Sequence, residues 1–138
     1  MDKKILVIDG QGGQLGSQIV KALIAKFPGI TVTAIGTNAT ATSAMLKSGA
    51  ASGATGENPV IVACRKAGII IGPIGIVIAD ALMGEVTPAM AVAVGQADAA
   101  RILIPMNKCE NLVAGVSNLS TSVLIQDAIS KVEQIINP

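Results

Sequence analysis

The run from Ile5 to Ser17 constrains this chain more than any other segment: a short apolar stretch, Ile5 to Ile8, passes through Gly10, Gly12, Gly13 and Gly16 into a helical pattern. It reads as a phosphate-binding turn. Glycines let the backbone turn sharply and approach a ligand closely, while the free N–H groups and positive dipole end of the following helix attract an anion. A P-loop is rejected because no Lys-Ser or Lys-Thr pair follows the glycines.

The pattern that starts here continues. Leu15, Ile19, Leu23 and Phe27 recur at helical spacing until Pro28-Gly29 stops them. Ile30 to Ile35 is a second strand, and 39–47 a helix up to Gly49. Residues 49–56 allow one short strand in a small-residue loop. Asn58-Pro59 has the form of a helix start, with Asn as N-cap and Pro at the first helical position, running to Lys66. Ile69 to Ile71 is another strand, followed by an expected helix near Ile76 to Met83. Thr87-Pro88 opens a helix to about Ala97, Arg101 to Ile104 is a strand, and Leu112 to Val116 a candidate further one. Ile125, Ile129, Val132 and Ile136 mark a closing amphipathic helix from about Ser120. Strands alternating with helices predict an α/β fold: a Rossmann-like, doubly wound, mostly parallel sheet with right-handed crossovers. No linker or repeat divides the 138 residues, so 1–138 is expected to be a single domain.

After each clear strand sits a segment rich in Gly, Pro, Asn or Thr: Asp9 to Gly16, Gly36 to Asn38, Gly72 to Gly75, and Pro105 to Cys109. In a parallel sheet these emerge at one edge, where open α/β sheets bind ligands. The expected binding residues are therefore Asp9, Gly10, Gln11, Gly12, Gly13 and Gly16, with Thr37, Asn38, Gly72, Gly75 and Asn107 as secondary contacts and Lys108 to neutralise ligand charge. The alternative is that the glycines serve only tight helix–sheet packing. The acid that grips an adenosine ribose is expected about 20 residues on, at the end of the second strand. Gly36-Thr37-Asn38 stands there instead. The missing acid weakens NAD and the missing Arg weakens NADP, so the cofactor stays unknown among NAD, NADP and other nucleotides.

The chain has no His and no Tyr, which excludes histidine catalysis and the Tyr-x-x-x-Lys relay of short-chain dehydrogenases. Acid–base candidates are Glu57, Asp80, Glu85, Lys108 and Cys109, with no assignment among them. Asp9 would repel a phosphate. It has three readings: a metal ligand, a partner of Lys108, or a carboxylate satisfied by helix N-terminal amides. Glu57 and Glu85 each precede an expected helix start, where capping is as good a reading as catalysis. Cys64 lies in an apolar helical pattern and reads as core. The two cysteines lack zinc-finger spacing, and no metal site is expected.

Composition narrows the partners. The net charge is +1 with basic residues scattered, which disfavours nucleic acid. Residues 67–79 are apolar but broken by Gly68, Gly72, Pro73 and Gly75, too short to span a bilayer. With no signal-peptide pattern, the expectation is a cytoplasmic protein. Apolar residues make up 51% and charged ones only 14%, which points to a homo-oligomer, or else to a parallel sheet covered on both faces.

Two resemblances follow from these residues. Read as Gly10-x-x-Gly13-x-x-Gly16, the turn resembles that of atypical short-chain dehydrogenases and related NAD(P)-binding regulators. The strings Asp9 to Gly13, Gly36 to Ala39, Gly53 to Asn58, Ile71 to Ile76, Gly84 to Pro88 and Ile104 to Cys109 occur in order across nearly the whole chain. Together they resemble a family of short bacterial proteins, domain-of-unknown-function family 3842. That resemblance implies a bacterial, cytoplasmic protein and brings no activity, cofactor or catalytic residue. The leading expectation is a nucleotide- or phosphorylated-small-molecule-binding and sensing protein whose ligand favours one of two subunit arrangements. The alternatives are a small oligomeric NAD(P)- or nucleotide-dependent enzyme and a structural subunit without a ligand.

Overall fold

In the computed structural model, residues 4–106 and 111–138 are described. Five parallel strands form one sheet: β1 (Ile5–Asp9), β2 (Val32–Gly36), β3 (Ser52–Thr55), β4 (Ile69–Pro73) and β5 (Ala100–Ile104), in the order β3-β2-β1-β4-β5. Ile5 pairs with Val32 on one side and Ile69 on the other, so β1 is central. The chain winds outward from β1 to the β3 edge, crosses back over β1, and winds the other way through β4 to β5. This is the doubly wound α/β arrangement. The direction reverses between β1 and β4, the switch point of the sheet, where open α/β folds commonly bind ligands.

Side-chain alternation divides the core. Ile5, Val7, Val32, Ala34, Ile69 and Ile71 pack beneath α1 (Gln14–Lys26), α2 (Ala39–Lys47) and α5 (Thr121–Ile136). Leu6, Ile8, Ile35 and Ile70 pack beneath α3 (Glu57–Lys66) and α4 (Pro88–Gln96). Ile69, Ile70 and Ile71 are completely buried, as a strand covered on both faces requires. Burying each such side chain stabilises the fold by roughly 1.5–3 kcal/mol. The closing helix returns to the α1 side, burying Ile125, Ala128, Ile129 and Val132 against the α1 core, and Lys26 of α1 pairs with Glu133 at 3.3 Å. No helix among the described residues is long and apolar enough to cross a membrane.

The expected helix starts at Thr87 and Ser120 hold: Thr87 Oγ1 accepts from the Met90 N–H at 3.2 Å, and Ser120 Oγ from the Val123 N–H at 3.3 Å. Three local expectations are corrected. Residues 76–83 are not a helix; a single 3-10 turn, Ile74–Val77, gives way to tight turns, because Asp80, Leu82 and Met83 all adopt left-handed φ (66°, 56° and 57°) that no right-handed helix accommodates. Residues 112–116 form a turn, with the Val116 N–H on the Val113 carbonyl at 3.3 Å, rather than a strand. The third helix begins at Glu57 with Gly56 as its cap, two residues ahead of the expected Asn58 cap and Pro59 start, since its first intrahelical bond runs from the Val60 N–H to the Gly56 carbonyl at 3.1 Å.

Candidate functional site

At the ends of β1, β2 and β4 three segments meet: the turn 10–13, Thr37-Asn38, and the long connection from Ile74 to Thr87. Three of the four turn glycines are fixed by close packing. A Cβ on Gly13 would lie 2.7 Å from the Ala41 Cα, and Gly13 itself sits at φ +75° as the residue that opens α1. A Cβ on Gly16 would lie 2.6 Å from the Met45 sulfur and 2.8 Å from the Asp9 Cβ. Gly10 is roofed by Thr37, Leu82 and Glu85. Gly12 differs: it is exposed, and nothing stands within 4 Å of where its Cβ would be.

Asp9 ends β1 and is buried. Its carboxylate accepts from the Gly10 N–H at 2.8 Å and from the Gly16 N–H, in the first turn of α1, at 2.6 Å. Of the three readings of Asp9, the helix-amide one describes the geometry. Burial pushes its pKa up, the two amide bonds pull against that, and the negative charge of Glu85 adds to the rise. Asp9 takes one of the N–H groups that a helix start leaves without an intrahelical partner. The N–H groups of Gly12, Gln14 and Leu15 make no hydrogen bond among the described residues, and Gly12 and Gln14 lie at the surface.

Glu85 is the residue that sequence reasoning left out of the binding set. Its Oε1 accepts from the Gln11 N–H at 2.9 Å, the Thr37 hydroxyl at 2.6 Å and the Asn38 side-chain amide at 2.8 Å. Burial alone would raise its pKa, but the bonds from Thr37, Gln11 and Asn38 outweigh it and hold the carboxyl below its ordinary value. Gln11, with φ 49°, is itself left-handed, and its carbonyl accepts a second bond from the Asn38 amide at 2.9 Å. Asn38 also caps α2 through the Ala41 N–H. Glu85 thus ties together the loops after β1, β2 and β4, instead of capping the helix that follows it. Only an approach to sequence-distant loops, 74 residues away for Gln11, gives it this role, and no local signal carries that.

The other candidates are placed as follows. Gly72 lies against the Ile8 carbonyl and Gly75 against Ala81 and Leu82, both buried. Glu57, the first residue of α3, and Asp80, on the connection after β4, are exposed, and neither hydrogen-bonds Glu85. Asn107, Lys108 and Cys109 lie outside the described residues. Cys64 is buried as expected, and burial pushes its thiol up to about 11. A groove of about 450 Å3 runs elsewhere, between α3 and the face of β1 to β3, lined mainly by apolar groups such as Ile35, Ala54, Val62 and Ala63, with Lys4 and Lys66 beside them. Its position away from the carboxyl ends of β1 and β4 separates it from the glycine turn.

Comparison with solved structures gives a dodecameric FMN-dependent Ubix-like decarboxylase from Escherichia coli O157:H7, 11% identical, aligned over 97% of this chain and 94% of that one with a TM-score of 0.45. So distant a likeness carries nothing about ligand or assembly. No curated protein matches the chain. The family model described as "Domain of unknown function (DUF3842)" matches residues 4–137, and the chain belongs to that family.

Proposed function

We propose that this protein binds a nucleotide or another phosphorylated small molecule over the glycine turn at the switch point of its sheet. The observation that carries the reading is the group of N–H donors of Gly12, Gln14 and Leu15, without partners among the described residues at the start of α1, where Gly12 and Gln14 are exposed and nothing stands in front of Gly12. Donors of this kind, at the positive end of a helix, favour a phosphate. Thr37 and Asn38 stand beside the turn, bonded to Glu85. The role is binding and sensing, passed on through subunit arrangement. Leu112, Leu119 and Val123, exposed at 93%, 50% and 50% along the segment after β5, supply apolar surface for contact between copies.

The test is native mass spectrometry of freshly purified protein, followed by thermal shifts with NAD, NADP, nucleoside phosphates and sugar phosphates. A ligand at 100 times its Kd stabilises the folded state by about 2.7 kcal/mol. The informative variant is Gly12→Asp, which places a negative charge at the donors without a clash, whereas any side chain at Gly13 collides with α2. Stabilisation that Gly12→Asp abolishes supports the reading. No retained ligand and no shift in the panel refutes it and leaves the glycines a packing role.

A further inference from the structure

We infer that the groove between α3 and the sheet is a second ligand site, one for a small organic acid with an apolar body and a single anionic head. It stands apart from the glycine turn and does not depend on the phosphate reading.

The strand register lays out the floor of the groove. Leu6 pairs with Thr33, Thr33 with Ser52, and Ile35 with Ala54, so these residues share one face of the sheet, together with Lys4, two positions before Leu6. Along each strand the polar member comes first: Lys4 before Leu6, Thr33 before Ile35, Ser52 before Ala54. Parallel strands therefore collect the polar groups at the amino-terminal edge of the sheet and the apolar ones beyond them. The crossover helix α3 runs the opposite way. Pro59, Val62 and Ala63 wall the groove, and Lys66, the last residue of α3, ends it at that same edge. The Lys4 carbonyl accepts from the Gly68 and Ile69 N–H groups at 2.8 and 3.0 Å, which holds the chain leaving α3 beside Lys4.

The space is left because the buried residues of α3, Val60, Cys64 and Ala67, join Met90, Ala91 and Val94 of α4 in one cluster, while Val62 and Ala63 stay only partly covered. Its volume of about 450 Å3 lies within the roughly 300–1,000 Å3 of small-molecule sites, whose usual make-up is an apolar lining with a few convergent polar groups.

Charge selects the occupant. Lys4 and Lys66 make no ion pair among the described residues, and no acidic side chain lines the groove. The negative end of the α3 dipole is reason enough for Lys66. Lys4 precedes a strand and has no such reason. Two ammonium groups at one end of an apolar groove repel each other, and an anion between them relieves that repulsion. A second copy of the chain fits poorly, because a two-fold contact sets a patch against itself and would bring lysines against lysines. An acid whose head lies at Lys4 and Lys66 and whose body runs along Ile35, Ala54, Val62 and Ala63 satisfies both ends.

The test is calorimetry of the purified protein with hexanoate, octanoate and decanoate, and with octanol and octylammonium as probes of the same length as octanoate. The expected result is that each added methylene tightens binding about fourfold, the equivalent of ~0.8 kcal/mol per buried CH2. Octanoate should bind about tenfold or more tighter than octanol, the scale of hydrogen bonds to a charged group, and octylammonium should not bind. These comparisons on wild type need no variant. Lys4→Gln with Lys66→Gln should bring octanoate down to the level of octanol. Ala63→Leu from the wall, and Ala54→Leu from the floor, should weaken all three acids, with thermal melts verifying that each variant is folded. Gly12→Asp should change none of these affinities. Failure of all three acids to bind overturns the inference, as does octanol or octylammonium matching octanoate on wild type. Octanoate binding that survives both the lysine and the groove-filling variants, or that Gly12→Asp weakens, places the acid elsewhere and also overturns it. If native mass spectrometry shows wild type as a dimer and Ala63→Leu as a monomer, a second copy occupies the groove and the inference falls.

Discussion

The glycine turn allows a sharp test of which of its members are architectural. Gly13→Ala and Gly12→Ala add the same methyl group one residue apart. At position 13 the backbone has φ +75°, a conformation that costs an L-residue roughly 1–2 kcal/mol. The new Cβ would stand 2.7 Å from the Ala41 Cα and 3.0 Å from its carbonyl oxygen, backbone atoms of α2 that cannot rotate away. Overpacking of this kind costs about 1–3 kcal/mol. Replacing glycine restricts the unfolded chain and returns about 0.4–1 kcal/mol. The net loss for Gly13→Ala is therefore on the order of 2–4 kcal/mol, a large share of a typical total of about 5–15 kcal/mol. At position 12 nothing lies within 4 Å and the φ is not left-handed, so only the unfolded-state effect remains, and Gly12→Ala is neutral or stabilising by up to about 1 kcal/mol. Urea denaturation at 25 °C, with equal slopes required before midpoints are compared, measures the difference. Destabilisation of the two variants to the same extent would refute the assignment of Gly13 to the α1–α2 contact.

Two further outcomes follow from buried titratable groups. Asp9 has a raised folded-state pKa, so its contribution to stability is full below the ordinary carboxylate value of 3.8 and is lost as pH rises through the raised pKa. The stability of Asp9→Asn relative to wild type should therefore improve between pH 3.5 and neutrality, as read by denaturation at each pH; a relative stability that falls over that window would contradict the burial argument. Cys64, with its thiol pushed up to about 11, should resist iodoacetamide at pH 8 in a Cys109→Ser background and react fully once the protein is unfolded in urea; rapid alkylation of the folded form would place the thiol outside the core.

Local rules made most of the frame legible. The strands other than β3 announced themselves as apolar runs because a sheet covered on both faces needs them, Ile69-Ile70-Ile71 above all, and the Thr87-Pro88 and Ser120 caps are short-range devices whose geometry depends on three residues. The turn at Gly10 to Gly16 was visible for the same reason. What escaped was long-range. Nothing local to Gly84-Glu85-Val86 says that the carboxylate reaches Gln11, Thr37 and Asn38. The apolar residues Ile76 to Met83 suggested a helix, although Leu82 is held left-handed by its seat in the core, a tertiary contact that overrides propensity. At 112–116 the hydrophobic character that suggested a strand belongs to exposed side chains, such as Leu112 at 93%.

The return of α5 to the α1 side has a consequence for synthesis. Its apolar stripe, Ile125, Ala128, Ile129 and Val132, closes a core whose other walls, α1 and the first strands, leave the ribosome about a hundred residues earlier. Until that helix is made, Ile19, Leu23 and the α1 face of the sheet have no cover on that flank, and the nascent chain presents an apolar surface to whatever is nearby. Translation speed along the second half of the message, and the chaperones that meet the chain there, therefore bear on the yield of folded protein as directly as the stability of its finished core.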